Sequence, residues 1–240
     1  MDKELRYEGK AKHIYQTNVD DVLLIHYKDS ITAFNGLKKN DMIGKGRLNN
    51  EISCFIFEKL QAAGIHSHFI KRVSETEQLV RAVRIIPLEV VVHNTIAGSL
   101  AKRLGLTEGE MLKKPFVDFF YKDDALDDPL VTHEHIKLLK VATQEQIHEM
   151  AEKALAINAI LEQLFLDSNI RLVDFKLEFG IDREGNILLA DEISPDTCRL
   201  WDLATGEKLD KDVYRQGIGD TLTAYERVLK RLLSGSDSTI

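Results

Sequence analysis

Charged and apolar side chains alternate along residues 173–179, where Asp174, Lys176 and Glu178 stand between apolar neighbours. Successive side chains of a β-strand point to opposite faces of the sheet. A strand at this position would therefore place all three charges on one face. The sequence predicts a charged surface in the middle of an otherwise apolar segment.

A second predicted strand, residues 187–193, follows after a turn at residues 182–186. Pairing around that turn is expected to place Asp191 opposite Glu178. Two carboxylates at cross-strand distance repel each other unless a cation lies between them. Magnesium is bound by one or two carboxylates together with phosphate oxygens, so this pair suits a metal–nucleotide complex. A solvated strand face is the alternative, because such faces often carry alternating charges.

A glycine and two lysines lie between two other predicted strands, in the order Gly9, Lys10, Ala11 and Lys12. Glycine lets the backbone come close to a phosphate, and the lysines supply positive charge. The segment matches neither the P-loop nor the dinucleotide-binding glycine pattern. A plain hairpin turn is therefore the alternative to a loop that covers a nucleotide.

Two further polar segments are candidates for anion binding. In residues 94–103, Gly98 and Ser99 precede a short predicted helix whose free amide groups could bind a phosphate. Residues 191–199 contain more polar groups than a connecting loop needs, and Arg199 can hold a carboxylate or a phosphate through two hydrogen bonds. An ordinary capped helix and an ordinary turn are the alternatives.

The overall composition indicates a globular protein of one or two lobes, with 240 residues, 44% hydrophobic and 30% charged. The formal charge is −7 and the basic residues are scattered, so we expect no nucleic-acid partner. Apolar runs fall short of the roughly 20 residues that span a bilayer. The first residues lack a secretory signal. Neither cysteine is expected to be a nucleophile, because Cys54 lies on the buried stripe of its predicted helix and Cys198 has no identifiable base partner. We expect a cytoplasmic protein without a membrane role.

The predicted elements form a β-rich first part. Apolar alternation predicts strands at residues 5–10, 13–17 and 22–27, followed by a helix whose apolar stripe begins at Leu48 and which ends at Gly64. Further strands are expected at residues 69–73, 78–84 and 87–93. Pro87 predicts either a sheet edge or a break between two strands, and a boundary between two lobes.

The second predicted part mixes helices and strands. A short helix at residues 99–104 and an aromatic strand at 115–121 precede a polar loop at 122–129, which is expected to border a cleft. Thr143 and Gln146 fit the capping box of a long helix, and a last helix is expected at residues 220–233. The chain is predicted to be α+β, with domains at 1–86 and 87–240.

Five segments taken together resemble the SAICAR synthetase family in sequence, order and spacing: residues 7–12, 87–92, 97–100, 172–180 and 191–196. The resemblance implies an N-terminal antiparallel β-rich lobe and a larger mixed α/β lobe with an ATP cleft between them. It implies that ATP, L-aspartate and carboxyaminoimidazole ribonucleotide (CAIR) become SAICAR, ADP and phosphate in de novo purine synthesis, through an acyl phosphate. It also implies a homo-oligomer, expected to be a dimer.

The same resemblance implies roles for particular residues. ATP would be bound by the glycine–lysine segment and by one lysine of the polar loop: Gly9, Lys10, Ala11, Lys12 and Lys122. Magnesium would be bound by Glu178 and Asp191, and the catalytic residues would be Lys176, near the transferred phosphoryl group, and Asp196. The anionic groups of the substrates would be held by four residues: Ser99, Arg199, Lys211 and Arg215.

The chain departs from the family pattern at His93, where the family often has arginine. A histidine is charged only in part near neutral pH, so the ribonucleotide contact expected at this position is open. Two other functions also stay open at this point. A kinase-like phosphotransferase would stop after phosphoryl transfer, although the kinase His-Arg-Asp and Asp-Phe-Gly motifs are missing. A nucleotide sensor would bind ATP without turnover.

Overall fold

The computed structural model describes residues 4–33 and 36–236. The ends of the two predicted domain ranges, residues 1–3 and 237–240, lie outside the described residues. Seven strands and one helix come first along the chain: β1 (Leu5–Glu8), β2 (Lys12–Gln16), β3 (Val22–Tyr27), β4 (Ser30–Ala33), β5 (Lys38–Asp41), α1 (Lys45–Ala62), β6 (Phe69–Arg72) and β7 (Glu77–Arg81). Five of these strands form an antiparallel sheet in the order β1-β2-β3-β7-β6, while β4 and β5 pair with each other.

The remaining described residues, up to 236, build a second antiparallel sheet, five α-helices and a short 3-10 helix at Asp124–Leu126. Their strands and α-helices are β8 (Arg84–Thr95), α2 (Gly98–Leu104), β9 (Met111–Tyr121), β10 (Leu130–Val131), α3 (His133–Leu139), α4 (Gln144–Asp167), β11 (Ile170–Ile181), β12 (Ile187–Ala190), β13 (Cys198–Asp202), α5 (Asp212–Gln216) and α6 (Thr221–Ser236). The strand order is β10-β9-β8-β11-β12, and β13 also pairs with β11. The predicted α+β class is confirmed.

One edge of strand β11 pairs with β8, and the other edge pairs with both β12 and β13. β12 pairs with its last four residues and β13 pairs with residues 170–175, so the loop between β12 and β13 lies beside the middle of β11. The amide of Lys176 donates to the carbonyl of Thr197 in that loop at 2.8 Å. The fold thereby brings the polar loop 191–197 next to the charged residues of β11.

The expected edge or break at Pro87 is wrong. β8 continues from Arg84 to Thr95 and lies between β9 and β11. Proline cannot donate to a ladder, and the pairing shifts there, from Glu89 with Glu178 to Ile85 with Gly180. A Cβ on Gly180 would lie 2.5 Å from Cγ2 of Val83, so glycine is needed at this irregularity.

The capping box predicted for the long helix is present at α4. The hydroxyl of Thr143 accepts from the amide of Gln146, whose side chain accepts from the amide of Thr143 at 3.0 Å. The helix packs on the second sheet through one stripe: Ile147, Met150, Ala154, Ile157, Leu161 and Phe165. Burial of a large apolar side chain contributes about 1.5–3 kcal/mol, so this stripe holds the helix in place.

The apolar core runs from one sheet to the other. Buried residues of α1 and Phe69 of β6 belong to the same cluster as Phe179 of β11 and Leu189 of β12. Ser67 also forms a β-bridge with Leu189. The division of the chain into separate domains near residue 86 stays a prediction. Among residues 4–33 and 36–236, no helix is long and apolar enough to cross a membrane.

Candidate active site

A cleft of about 910 Å³ opens between the two sheets. Its lining comes from the β1–β2 turn, the end of β9 and the loop after it, the charged face of β11, the loop between β12 and β13, and α5. The structure brings every residue of the predicted site into this one cleft: Gly9, Lys10, Ala11, Lys12, Ser99, Lys122, Lys176, Glu178, Asp191, Asp196, Arg199, Lys211 and Arg215. Their individual roles stay predictions.

The charged face predicted for β11 is present. Asp174, Lys176 and Glu178 all line the cleft, while Leu177 between them is fully buried in the core. The period-two alternation of a strand produces this arrangement without any tertiary information. That is why the sequence predicted the shared face correctly.

The position of Asp191 differs from the expected register by one residue. Glu178 pairs with Ala190, and Asp191 follows the end of β12 with a φ of 58°. A regular strand would turn the next side chain to the opposite face, whereas this left-handed conformation keeps the Asp191 carboxylate in the cleft. The two carboxylates therefore come together, as expected, by a different local geometry.

Lys12 connects the first hairpin to these carboxylates. Its Nζ lies 2.5 Å from Oδ1 of Asp191 and 2.9 Å from Oε1 of Glu192. Burial alone would lower the pKa of Lys12, but the two carboxylates outweigh burial and raise it. Burial alone would raise the pKa of Asp191, but Lys12, Lys122 and Lys176 outweigh burial and lower it. Both groups are therefore charged at neutral pH.

Two further lysines stand around Glu178. Lys122 donates directly to the Glu178 carboxylate, and Nζ of Lys176 lies 3.8 Å from Oε1 of Glu178. Lys176 donates to Oε1 of Glu89 at 2.5 Å. Burial and the charge of Asp191 raise the pKa of Glu178 in spite of the lysines. An additional cation between Glu178 and Asp191 would relieve that repulsion.

The β1–β2 turn forms one rim of the cleft. The amide of Gly9 donates to the carbonyl of Lys12 at 2.8 Å, which closes the turn. Nζ of Lys10 lies 2.6 Å from Oδ1 of Asp124, in the loop that follows β9. The turn of the first sheet thus contacts a loop of the second sheet across the mouth of the cleft.

Arg199 lines the cleft beside the first residue of α2. Its Nη1 donates to Oδ2 of Asp174 at 2.9 Å, and its Nε donates to Oδ2 of Asp212 at 3.0 Å. Gly98 leaves room for the guanidinium group, because a Cβ there would lie 2.3 Å from Nη2 of Arg199. Ser99 follows directly at the start of α2 and lines the same region.

Asp196 is fixed by two partners behind the cleft wall. Nζ of Lys45 lies 2.6 Å from its Oδ2, and the hydroxyl of Tyr225 donates to its Oδ1 at 2.6 Å. Burial alone would raise the pKa of Asp196, but Lys45 and Lys211 outweigh burial and lower it. Burial lowers the pKa of Lys211. Asp196 is thus a rigid, ionised hydrogen-bond acceptor.

Several cleft residues were not predicted. Glu89 holds Lys176, and the pairing of β8 with β11 is the only signal for this contact. His68 lies with Nε2 3.2 Å from the carbonyl of Asp191, and burial lowers its pKa to about 4. Apolar residues of both sheets line the remaining part of the cleft: Ile14, Leu23, Ile25, Val80, Val83 and Ile85.

His93 faces the cleft near Arg199 and is almost fully buried. Its Nε2 lies 3.4 Å from Oδ2 of Asp118 and its Nδ1 lies 3.9 Å from Oδ2 of Asp174, but neither nitrogen has a hydrogen-bond partner. The ring packs on Phe116 with the ring centroids 5.0 Å apart.

The cysteines fit the expectation that neither is a nucleophile. Both are free and buried, and burial raises the pKa of each thiol, that of Cys54 to about 12. A protonated thiol is a poor nucleophile. Among the residues that the structure describes, no group of three or more His, Cys, Asp or Glu side chains is arranged to hold a metal ion.

The fold and the site define an α+β enzyme whose cleft is lined by paired lysines and carboxylates. The sequence model of SAICAR synthetase matches residues 5–232. A phosphoribosylaminoimidazole-succinocarboxamide synthase of Bacillus cytotoxicus is 62% identical over 229 residues, which cover 95% of this chain and 96% of the relative. The crystal structure of the enzyme of the same name from Ehrlichia chaffeensis has a TM-score of 0.93 at 45% identity, over 95% of this chain and 98% of that chain.

A SAICAR synthetase solved in complex with ADP has a TM-score of 0.91 at 46% identity, over 94% of this chain and 96% of that chain. The chain belongs to the SAICAR synthetase family. The predicted resemblance is confirmed, and so is the assignment as an ATP-dependent ligase of this family.

Proposed function

We propose that the cleft joins the carboxylate of CAIR to the amine of L-aspartate, with ATP converted to ADP and phosphate, in de novo purine synthesis. The observation that carries the proposal is the set of lysine–carboxylate contacts in one cleft: Lys12 with Asp191, Lys122 with Glu178 and Lys176 with Glu89. Such a set balances the charge of a triphosphate and directs one phosphoryl group to an acceptor.

ATP binds with its base against the apolar residues between the two sheets and its phosphates at the β1–β2 turn. Lys10 and Lys12 of that turn and Lys122 on the opposite side supply the positive charge. The SAICAR synthetase that was solved with ADP supports this placement, because it shares the fold over nearly the whole chain.

Magnesium fits the pair Glu178 and Asp191. Glu178 is buried, and the charge of the neighbouring Asp191 helps to raise its pKa; such a pair supplies the oxygen ligands that this ion takes together with phosphate oxygens. When bound, magnesium would neutralise charge on the phosphates. The protein's own part is to hold the two carboxylates still through Lys12 and Lys122.

The reaction has two steps, because a free carboxylate is a poor acyl donor. A carboxylate oxygen of CAIR attacks the γ-phosphorus of ATP beside Lys176, the bond from phosphorus to the ADP oxygen breaks, and an acyl phosphate forms. The amine of aspartate then attacks the acyl carbon and loses a proton, and the bond from carbon to the phosphate oxygen breaks. The positioning of both substrates supplies most of the rate.

The end of the cleft near α2 and α5 holds the anionic groups of the substrates. Ser99 and Arg199 bind the phosphate of the ribonucleotide, and Lys211 and Arg215 bind the carboxylates of aspartate. Asp196, held by Lys45 and Tyr225, accepts a hydrogen bond from the amine of the substrate aspartate. This hydrogen bond directs the lone pair of the amine nitrogen at the acyl carbon.

An omission experiment tests this function. The purified protein is incubated with ATP, magnesium, CAIR and L-aspartate, each left out in turn, while the adduct mass and ADP are followed. Product that requires all four supports the ligase. ADP formed without aspartate would point to a phosphotransferase, and ATP binding without turnover would point to a sensor; either outcome would contradict the proposal.

A matched pair of variants connects the activity to the cleft. Lys176→Met removes a lysine that donates at 2.5 Å inside the cleft, and Lys153→Met removes one that donates at 2.5 Å to the carbonyl of Ile187, outside the cleft lining. We expect at least about a hundredfold loss of kcat for the first and less than about a twofold change for the second. Equal effects would contradict the assigned position of the chemistry.

The expected cytoplasmic location and the expected dimer belong to the same proposal. Cell fractionation tests the first, and sedimentation equilibrium at micromolar concentration tests the second. A monomer at all concentrations would contradict the expected dimer without affecting the assignment of the cleft.

A further inference from the structure

Two arginines of the cleft share one carboxylate that is not itself part of the cleft lining. The side chain of Asp212, at the start of α5, is only 6% exposed. Its Oδ2 accepts from Nε of Arg199 at 3.0 Å, and its Oδ1 accepts from Nη1 of Arg215 at 2.7 Å. Both arginines line the cleft, and Asp212 lies behind them.

The shared carboxylate solves an electrostatic problem. Two guanidinium groups held close together in a partly buried site repel each other. Asp212 places a negative charge between them, in addition to the charge of Asp174 beside Arg199. Burial alone would raise the pKa of Asp212, but Arg199 and Arg215 outweigh burial and lower it. The Asp212 carboxylate is therefore ionised at neutral pH.

Asp212 is fixed in its place by the backbone around it. Its amide donates to Oδ1 of Asp210 at 2.7 Å, and Oδ2 of Asp210 accepts from the amide of Leu200 at 2.8 Å. Leu200 directly follows Arg199 in β13. Asp210 thus fastens the start of α5 to the strand that carries Arg199, and the distance between the two arginines is set by this connection.

We propose that Asp212 is a positioning residue that couples the two anion subsites, the one for the ribonucleotide phosphate at Arg199 and the one for a substrate carboxylate at Arg215. This inference rests on the proposed function. Arg199 also donates to Asp174, but Asp212 is the carboxylate that contacts both guanidinium groups, so its loss weakens both subsites together. The ATP end of the cleft is built from other residues and keeps its affinity.

The test compares Asp212→Asn with a control variant of another little-exposed aspartate that contacts two arginines. Asp202 is 7% exposed at its side chain and also stands between two arginines, Arg231 at 2.5 Å and Arg227 at 3.6 Å, but it is outside the cleft lining. For Asp212→Asn we expect KM for CAIR and KM for aspartate each to rise about tenfold, which corresponds to about 1.4 kcal/mol. KM for ATP stays within about twofold.

Asp202→Asn is expected to lower thermal stability and to leave all three KM values within about twofold. If Asp212 had only a structural role, Asp212→Asn would lower thermal stability in the same way, without the selective rise in two KM values. The proposal is overturned if Asp212→Asn leaves both KM values unchanged, raises only one of them, or raises KM for ATP equally.

Asp212→Glu covers the case in which Asp212→Asn does not fold. Glutamate keeps the charge and moves it by one methylene, so both KM values should rise together but by less than about fivefold. A change in one KM value alone overturns the coupling. Failure of the proposed function is distinguishable, because it would show as wild-type protein that makes no adduct, whereas failure of this inference appears only in the variants of an active wild type.

Discussion

Replacing Glu178 with glutamine is expected to remove turnover while the fold stays intact. The Glu178 side chain is only 4% exposed, and burial together with the charge of Asp191 raises its pKa. A carboxyl group whose pKa is higher in the folded than in the unfolded state favours folding at low pH and loses that contribution as pH rises. At neutral pH, the neutral amide of glutamine avoids this cost and has nearly the same shape.

The partners of Glu178 predict only a small change in the free energy of unfolding for Glu178→Gln. Breaking a buried ion pair costs about 3–5 kcal/mol when the remaining charge stays buried and unpaired. Here the Lys122 side chain is 41% exposed and can be hydrated, while Lys176 keeps its contact with Glu89 at 2.5 Å. We therefore expect the free energy of unfolding to change by less than about 1 kcal/mol.

The expected effect on catalysis is much larger. Removing one preorganised charge at the reacting phosphates lowers kcat by about 10²–10³-fold, or about 3–4 kcal/mol. The assay measures adduct and ADP formation over a series of magnesium concentrations, and thermal unfolding without ligands is followed by circular dichroism. Glu162→Gln is the matched control, because Glu162 accepts from Asn158 on α4 outside the cleft lining.

Two results would contradict a catalytic role of Glu178. A kcat of Glu178→Gln within about threefold of the wild type would show that the carboxylate is not part of the reacting site. A loss of activity that comes with a fall of several kcal/mol in the free energy of unfolding would show that the charge is needed for the fold instead.

Three further predictions follow from the charges and the thiols. Lys12→Met leaves Asp191 and Glu192 without their buried cation and should lower the free energy of unfolding by about 3–5 kcal/mol in urea titrations; a loss below about 1 kcal/mol would contradict the buried pair. Burial and Asp212 raise the pKa of Asp210 to about 7, so its stabilising contribution is complete at pH 3 and declines as pH rises to 7. The free energy of unfolding of Asp210→Asn, taken relative to that of the wild type, should therefore rise by about 3 kcal/mol from pH 4 to pH 7. Curves of unfolding free energy against pH that run parallel for the two proteins would refute this. Burial raises the pKa of Cys54 to about 12, so iodoacetamide at pH 8 should modify this thiol only after denaturation; rapid modification of the native protein would exclude a buried, protonated thiol.

Local patterns predicted the parts of the protein that depend on nearest neighbours along the chain. The alternation around Lys176 fixes which side chains share a face, because a strand has a period of two. Thr143 and Gln146 predict a helix start, because both hydrogen bonds of the capping box are local. The segments that carry the family resemblance all contain cleft residues, which is why the predicted residues line one cleft.

Features that depend on pairing between distant segments were missed or misplaced. The register placed Asp191 one residue away from its real position, because the end of a strand and a left-handed residue leave no periodic signal. Pro87 lies at a bulge of a central strand, which requires knowing both neighbouring strands. The contact of Glu89 with Lys176 and the bridge made by Asp212 join elements far apart in sequence, so neither follows from a local pattern.

In the proposed mechanism, one cleft first phosphorylates the carboxylate of CAIR and then delivers the acyl group to aspartate. Transfer of an oxygen isotope tests it most directly. CAIR labelled with ¹⁸O in its carboxylate is incubated with the protein, ATP, magnesium and L-aspartate, and the released phosphate is analysed by mass spectrometry. If an acyl phosphate forms, each turnover places one carboxylate oxygen in the inorganic phosphate. Adduct formed together with unlabelled phosphate would contradict it.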